Sequence, residues 1–185
     1  MSKGRTPHMA SRQDWLEAGL EILANSGARD MTLENLMEKM GLTKGSFYHH
    51  FKGMPAFKTA LMQHYEEQLT AQYIEEAEAG APPASEKLRR LLERVATESR
   101  DDPEAAIRSW ALQDAEVAET QARVDRARLE YLESVWLEHS GDAREARVMG
   151  QLLYVILVGS THVLPPIAGD DLREVYKHVL RDVLA

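Results

Sequence analysis

Thr43-Lys44-Gly45-Ser46-Phe47-Tyr48-His49-His50-Phe51 (TKGSFYHHF) is an unusual helix candidate. It joins a capping threonine, a glycine in the first turn, a cation, a hydroxyl, a phenol and two imidazoles. Such a segment builds core poorly. It is well made to set hydrogen-bond donors against a phosphate backbone and the floor of a groove. Immediately upstream, Thr32 to Met40 is a short amphipathic segment with Leu33, Leu36, Met37 and Met40 on its apolar side, closed by Gly41-Leu42. The pair predicts a helix-turn-helix with a very short second helix.

The flanking sequence supplies caps. Ser11, with Asp14 three residues on, predicts the start of a first helix carrying Trp15, Ala18, Leu20, Ile22 and Leu23. Asn25-Ser26-Gly27 ends it, with Gly27 placed for a left-handed C-cap. Thr32 can cap the second helix. Thr43 can cap the third, with the N–H groups of Lys44, Gly45 and Ser46 expected free and pointing forward. A long helix is predicted from about Pro55 to Glu78 through Phe57, Leu61, Tyr65, Leu69 and Tyr73. Gly80-Ala81-Pro82-Pro83-Ala84 reads as a linker, Ser85 as the next cap, and Asp102-Pro103-Glu104 as a fresh start. Further helices are expected over Val117 to His139, Ala143 to Val163, and from Leu172 to the C-terminus. No period-2 alternation survives, so the fold class is all-α, with about nine helices. The expected division is a three-helix helix-turn-helix domain over 1–55 and a larger helical domain over 56–185.

Composition is permissive. The chain has 185 residues, 44% hydrophobic, with no cysteine, which rules out disulfides and thiolate metal sites. The longest apolar run, Leu152 to Gly159, is far short of the ~18–20 residues that span a bilayer. The amino end lacks an apolar signal region, so no membrane association and a cytoplasmic location are expected. The net charge of −8 is unevenly spread: residues 1–60 hold eight Lys/Arg against six Asp/Glu, leaving −10 for the rest. A mildly basic head on an acidic body is compatible with DNA binding by the head alone.

Residues from about Ser11 to Leu61 resemble the N-terminal domain of the TetR family of transcriptional regulators. The resemblance rests on the Gly-ended first helix, the Thr-capped short helix ending in Gly41, and Thr43-Lys44-Gly45-Ser46-Phe47-Tyr48-His49-His50-Phe51 in register. One departure is Met54, where the family carries Lys; Lys52 and Lys58 flank it. The residue types suit Lys44 to a phosphate or guanine edge and Gly45 to close backbone approach. Ser46 and Tyr48 suit a base edge, phosphate or thymine methyl, His49 the groove, and His50 a phosphate. Thr32, Thr43 and Lys52 complete the candidate DNA-binding set. Phe47 and Phe51 are expected to pack.

For the body the resemblance implies a homodimer on a palindromic double-stranded operator and a small apolar or aromatic effector. Leu152, Val155, Ile156 and Gly159, with Leu172, Tyr176, Val179, Leu180 and Val183, form apolar stripes that read either as a buried helix pair or as a two-fold interface; the resemblance favours the interface. His64, Trp110, Gln113, Tyr131, Trp136 and Tyr154 are candidate pocket residues, with ordinary core as the competing reading. No cofactor, metal or catalytic constellation is expected: there is no H-E-x-x-H, phosphate-binding glycine loop or G-x-S-x-G. The competing functions are an all-helical ligand carrier or enzyme whose head binds no DNA, and a sequence-tolerant architectural DNA binder.

Overall fold

Caps written in the sequence set the first elements of the computed structural model, which describes residues 10–97 and 103–181. The Ser11 hydroxyl accepts from the Asp14 N–H (3.1 Å) while the Ser11 N–H donates to the Asp14 carboxylate (2.7 Å), a reciprocal box that starts α1, Arg12–Ser26. Gly27 ends α1 at positive φ with extended ψ (79°, 179°), so it turns the chain out and does not form the expected left-handed helical cap. A 3-10 turn, Ala28–Asp30, leads to α2, Leu33–Met40, whose Thr32 hydroxyl accepts from the Asn35 N–H at 3.2 Å. Then come α3, Lys44–His50, and α4, Met54–Glu66.

The expected helix over 55–78 is interrupted. A π-helical turn, Glu67–Ala71, separates α4 from α5, Gln72–Glu78. The body continues with α6, Ala84–Thr97; α7, Glu104–Ala111; α8, Ala115–Ser140; α9, Ala143–His162; and α10, Gly169–Val179. Ten α-helices and no strand are present among the described residues. The count exceeds nine only because the π turn divides one run in two. Asp114 and Asp142, through N–H acceptance, start α8 and α9. The expected Asp102 cap lies outside the described residues; Pro103 occupies the cap position of α7 without a side-chain bond.

Two apolar clusters hold the chain together. The first gathers Trp15, Leu23, Leu36, Phe47, Phe57 and Leu61, all fully buried, and continues into the body through Ile107, Val117 and Val124. Burying each large side chain contributes about 1.5–3 kcal/mol before entropy is charged. The head is therefore seated on α7 and α8. Gly19 lets α1 meet α4 closely, since a Cβ there would stand 2.9 Å from the Phe57 ring. The second cluster joins Leu88, Val135, Trp136, Leu153, Leu172, Tyr176 and Leu180 across α6, α8, α9 and α10.

Candidate nucleic-acid interface and cavity

The turn before α3 depends on Gly41, which sits in the left-handed region (φ 63°, ψ 29°) that a Cβ disfavours. The Gly41 N–H reaches the Glu38 carbonyl and the Leu42 N–H reaches that of Met37, both at 3.2 Å, closing α2 tightly enough for α3 to follow at once. At the start of α3 the Thr43 carbonyl accepts from Ser46 (3.0 Å) and Phe47 (3.4 Å), and the Thr43 hydroxyl makes no cap bond. The Ser46 N–H is thus occupied, contrary to expectation. Those of Lys44 and Gly45 stand ahead of the helix.

Phe47 fixes the facing of α3. It is fully buried, edge-on to Trp15 at 5.5 Å, and stacked among Phe51 and Phe57. Helical periodicity then turns Thr43, Lys44, Gly45, Tyr48 and His49 outward, and all five are exposed. Tyr48 keeps 49% of its surface in solvent, with the Lys44 ammonium 5.8 Å from its ring centre. A Cβ on Gly45 would touch nothing nearer than the Thr43 hydroxyl at 3.8 Å, so nothing in the fold asks for glycine there. Ser46 and Thr32 are half-buried. His50 is half-buried with its Nε2 2.9 Å from the Ala10 carbonyl, which pins the chain entering α1 and engages that nitrogen within the head. Of the two lysines around Met54, Lys52 is exposed, whereas Lys58 turns to the body, 2.7 Å from Asp114 and 2.9 Å from Glu116. Hydrogen bonding to Asp114, then to Glu116, raises the Lys58 pKa.

The body holds a partly open cavity of about 80 Å³. Its walls are Tyr73, Ile74, Leu88, Leu91, Leu92, Val95, Tyr131, Leu132, Leu153, Leu157 and Tyr176, with Thr70, Glu104, Arg128 and Tyr154 supplying a polar end. Glu104, 6% exposed, takes Arg128 at 2.6 Å and Arg108 at 2.7 Å. Arg108 also holds Asp125 at 2.9 Å. Burial works against ionising Glu104, but the two guanidinium groups outweigh it and its pKa is lowered. Burial, chiefly, pushes the Tyr154 phenol up to about 12. A hydrogen-bonded chain leaves this end of the cavity: the Tyr154 hydroxyl donates to Asp125 (2.8 Å), Gln121 donates to Asp125 (2.7 Å), and the Tyr65 hydroxyl of α4 donates to Gln121 (3.0 Å).

Residues 16–61 match the model of "Bacterial regulatory proteins, tetR family". The HTH-type transcriptional repressor Rv1474c of Mycobacterium tuberculosis is 30% identical over 136 residues, 69% of this chain and 71% of the relative. The chain belongs to the tetR family of bacterial regulatory proteins. A shorter likeness, 40% over 43 residues, or 23% of this chain and 32% of the relative, links it to the HTH-type transcriptional regulator TtgW of Pseudomonas putida. Among solved structures, reduced NemR of Escherichia coli superposes with a TM-score of 0.73 at 17% identity, over 94% of this chain and 97% of that one. SCO7518 of Streptomyces coelicolor A3(2) gives 0.67 at 16% identity, over 95% of this chain and 100% of that one. At such identities the likeness is one of fold.

Within this tetR-family chain several sequence expectations need correcting. Tyr131 and Tyr154 line the cavity, but His64, Trp110, Gln113 and Trp136 do not. His64 is buried on α4, within electrostatic reach of Glu17 and Arg12 of α1. Trp110 and Gln113, at the end of α7, border a groove beside Gly27 and Arg29 of the head. Trp136 is buried in the second cluster with its indole N–H unpartnered. On α10, Leu172, Tyr176 and Leu180 face inward and are buried within their own chain, and Val183 lies outside the described residues. Ile156 and Val179 are half-buried against the same cluster. Leu152, Val155 and Gly159 are exposed, as is Val148 one turn before Leu152. Sequence reasoning missed Glu104, Arg108, Asp125 and Arg128. Only the i, i+4 spacing of Glu104 and Arg108 hinted at them.

Proposed function

We propose that this transcriptional regulator acts as a repressor that binds a palindromic operator as a homodimer and is released by a small molecule held in the body cavity. The observation that carries the reading is α3: its one large apolar side chain is locked inward while Lys44, Gly45, Tyr48 and His49 stand in solvent. The repressor role is supported by the relative named as one. Pairing is supported by the exposed stripe Val148, Leu152, Val155 and Gly159 on α9, with Val175 of α10 exposed as well. Contiguous apolar surface of this kind marks a contact site. Two heads joined in this way read two half-sites at once. Within the reading, Thr43, Lys44, Ser46, Tyr48, His49 and Lys52 face the duplex, and Lys58 ties α4 to the start of α8. Ligand and operator then weaken each other's binding by the same factor. No helix among the described residues is long and apolar enough to cross a membrane, which fits a cytoplasmic regulator.

Light scattering of the free protein and of its complex with a duplex selected from a random pool tests the reading. Two chains free and two per inverted repeat are expected, with Val155→Asp giving single chains whose operator affinity falls at least ten-fold. A wild-type monomer, or a selected duplex without internal symmetry, contradicts it.

A further inference from the structure

We propose that the body cavity selects an uncharged, largely hydrocarbon ligand and rejects organic anions and cations of the same size. This rests on the effector reading above and adds the charge class of the effector. The walls offer aliphatic side chains such as Ile74, Leu91, Val95 and Leu157. Among the described residues, every charge at the polar end has a counter-charge. Glu104 serves both Arg128 (2.6 Å) and Arg108 (2.7 Å), and Arg108 also serves Asp125 (2.9 Å), so among the described residues two guanidinium groups meet two carboxylates and their charges balance.

Four neutral polar groups of the lining are engaged too. The Tyr154 hydroxyl donates to Asp125 and accepts from Arg108, both at 2.8 Å. The Tyr131 hydroxyl donates to Glu78 at 2.8 Å, and that of Tyr176 donates to the Leu153 carbonyl at 3.2 Å. The Thr70 hydroxyl accepts from Arg128 at 3.3 Å. A ligand carboxylate must compete with Glu104 for Arg128. A ligand ammonium must share a carboxylate already holding two cations. Either way a charge enters a poorly solvating space without a counterion of its own. An uncharged ring system leaves the network whole and buries its surface against the aliphatic walls.

The test is calorimetric titration with three probes of one shape: 1-naphthylmethanol, 1-naphthoate and 1-naphthylmethylammonium. The alcohol is expected to bind, and each ion at least ten-fold more weakly. In Glu104→Gln one negative charge is gone, and naphthoate should gain at least ten-fold relative to the alcohol while the ammonium does not. If that variant fails to fold, the ranking on the wild-type protein still decides. Either ion binding as tightly as the alcohol overturns the charge rule, and failure of all three to bind overturns the lipophile assignment. Leu91→Trp, which fills the cavity, should abolish alcohol binding. Binding that survives it sinks the cavity as the effector site, a failure distinct from that of the charge rule.

Discussion

Gly45→Ala should make the protein more stable and a worse regulator. Gly45 is the second residue of α3, in right-handed helical backbone, and a Cβ there would meet only the Thr43 hydroxyl at 3.8 Å. Alanine therefore brings no clash. It removes the entropic penalty of glycine, about 0.8–1 kcal/mol in a helix interior and about half that so close to the end, giving a gain of ~0.5 kcal/mol. For a chain of this length that is a rise of ~1–2 °C in melting temperature. On the operator the methyl group stands between the α3 backbone and the duplex. We expect at least a ten-fold weaker complex, or ~1.4 kcal/mol. Urea denaturation gives the first quantity and fluorescence anisotropy with a labelled operator the second. Operator affinity at or above wild type would refute the close approach of backbone to DNA. A loss of stability would refute the packing read at this position.

Lys44→Ala should reduce the slope of log affinity against log salt by about 1, with no change in melting temperature because the side chain is exposed. Tyr48→Phe should weaken operator binding and leave stability within about 0.5 kcal/mol, since half the residue faces solvent; a large fall in melting temperature would instead mark its hydroxyl as structural. Burial lowers the His64 pKa, partly offset by Glu17, so the unfolded chain takes up a proton before the folded one. Stability should be full above about pH 6.5 and fall as pH drops below it, and His64→Leu should flatten that dependence in urea titrations at stepped pH. Gln121→Leu removes an acceptor from Tyr65 and a donor from Asp125 inside the protein. It should cost about 1–3 kcal/mol in urea denaturation.

The head was legible because its signals are local. Ser11 with Asp14, and Thr32 with Asn35, form their caps within three residues, so spacing alone reveals them. Phe47 could be assigned to packing because it is the one large apolar side chain in an otherwise polar segment, Lys44 to His50. The body was legible only as helices. Glu104 meets Arg128 twenty-four residues away, and Tyr65 meets Gln121 fifty-six away, pairings that no periodicity announces. The stripe on α10 is a genuine amphipathic pattern, but a pattern gives the angle of a face and not its neighbour. Leu172 and Tyr176 chose their own chain's core. Of the residues named for the pocket, Trp110, Trp136 and His64 lie elsewhere for the same reason. A Trp or His on a helix face suits any apolar contact, and the cavity is walled mainly by aliphatic side chains and tyrosines. The π turn at Glu67–Ala71 left no trace in a sequence that reads as helix throughout.

The claim beneath all of this is that the exposed side of α3 reads base pairs. Selecting duplexes from a random pool in parallel with the wild-type protein and with His49→Ala tests it most directly. An inverted repeat is expected for the wild type and, for the variant, altered preference at one pair of symmetry-related positions with the flanks unchanged. The same consensus from both proteins would remove His49 from the readout, and no enriched sequence from the wild type would contradict the reading of α3 itself.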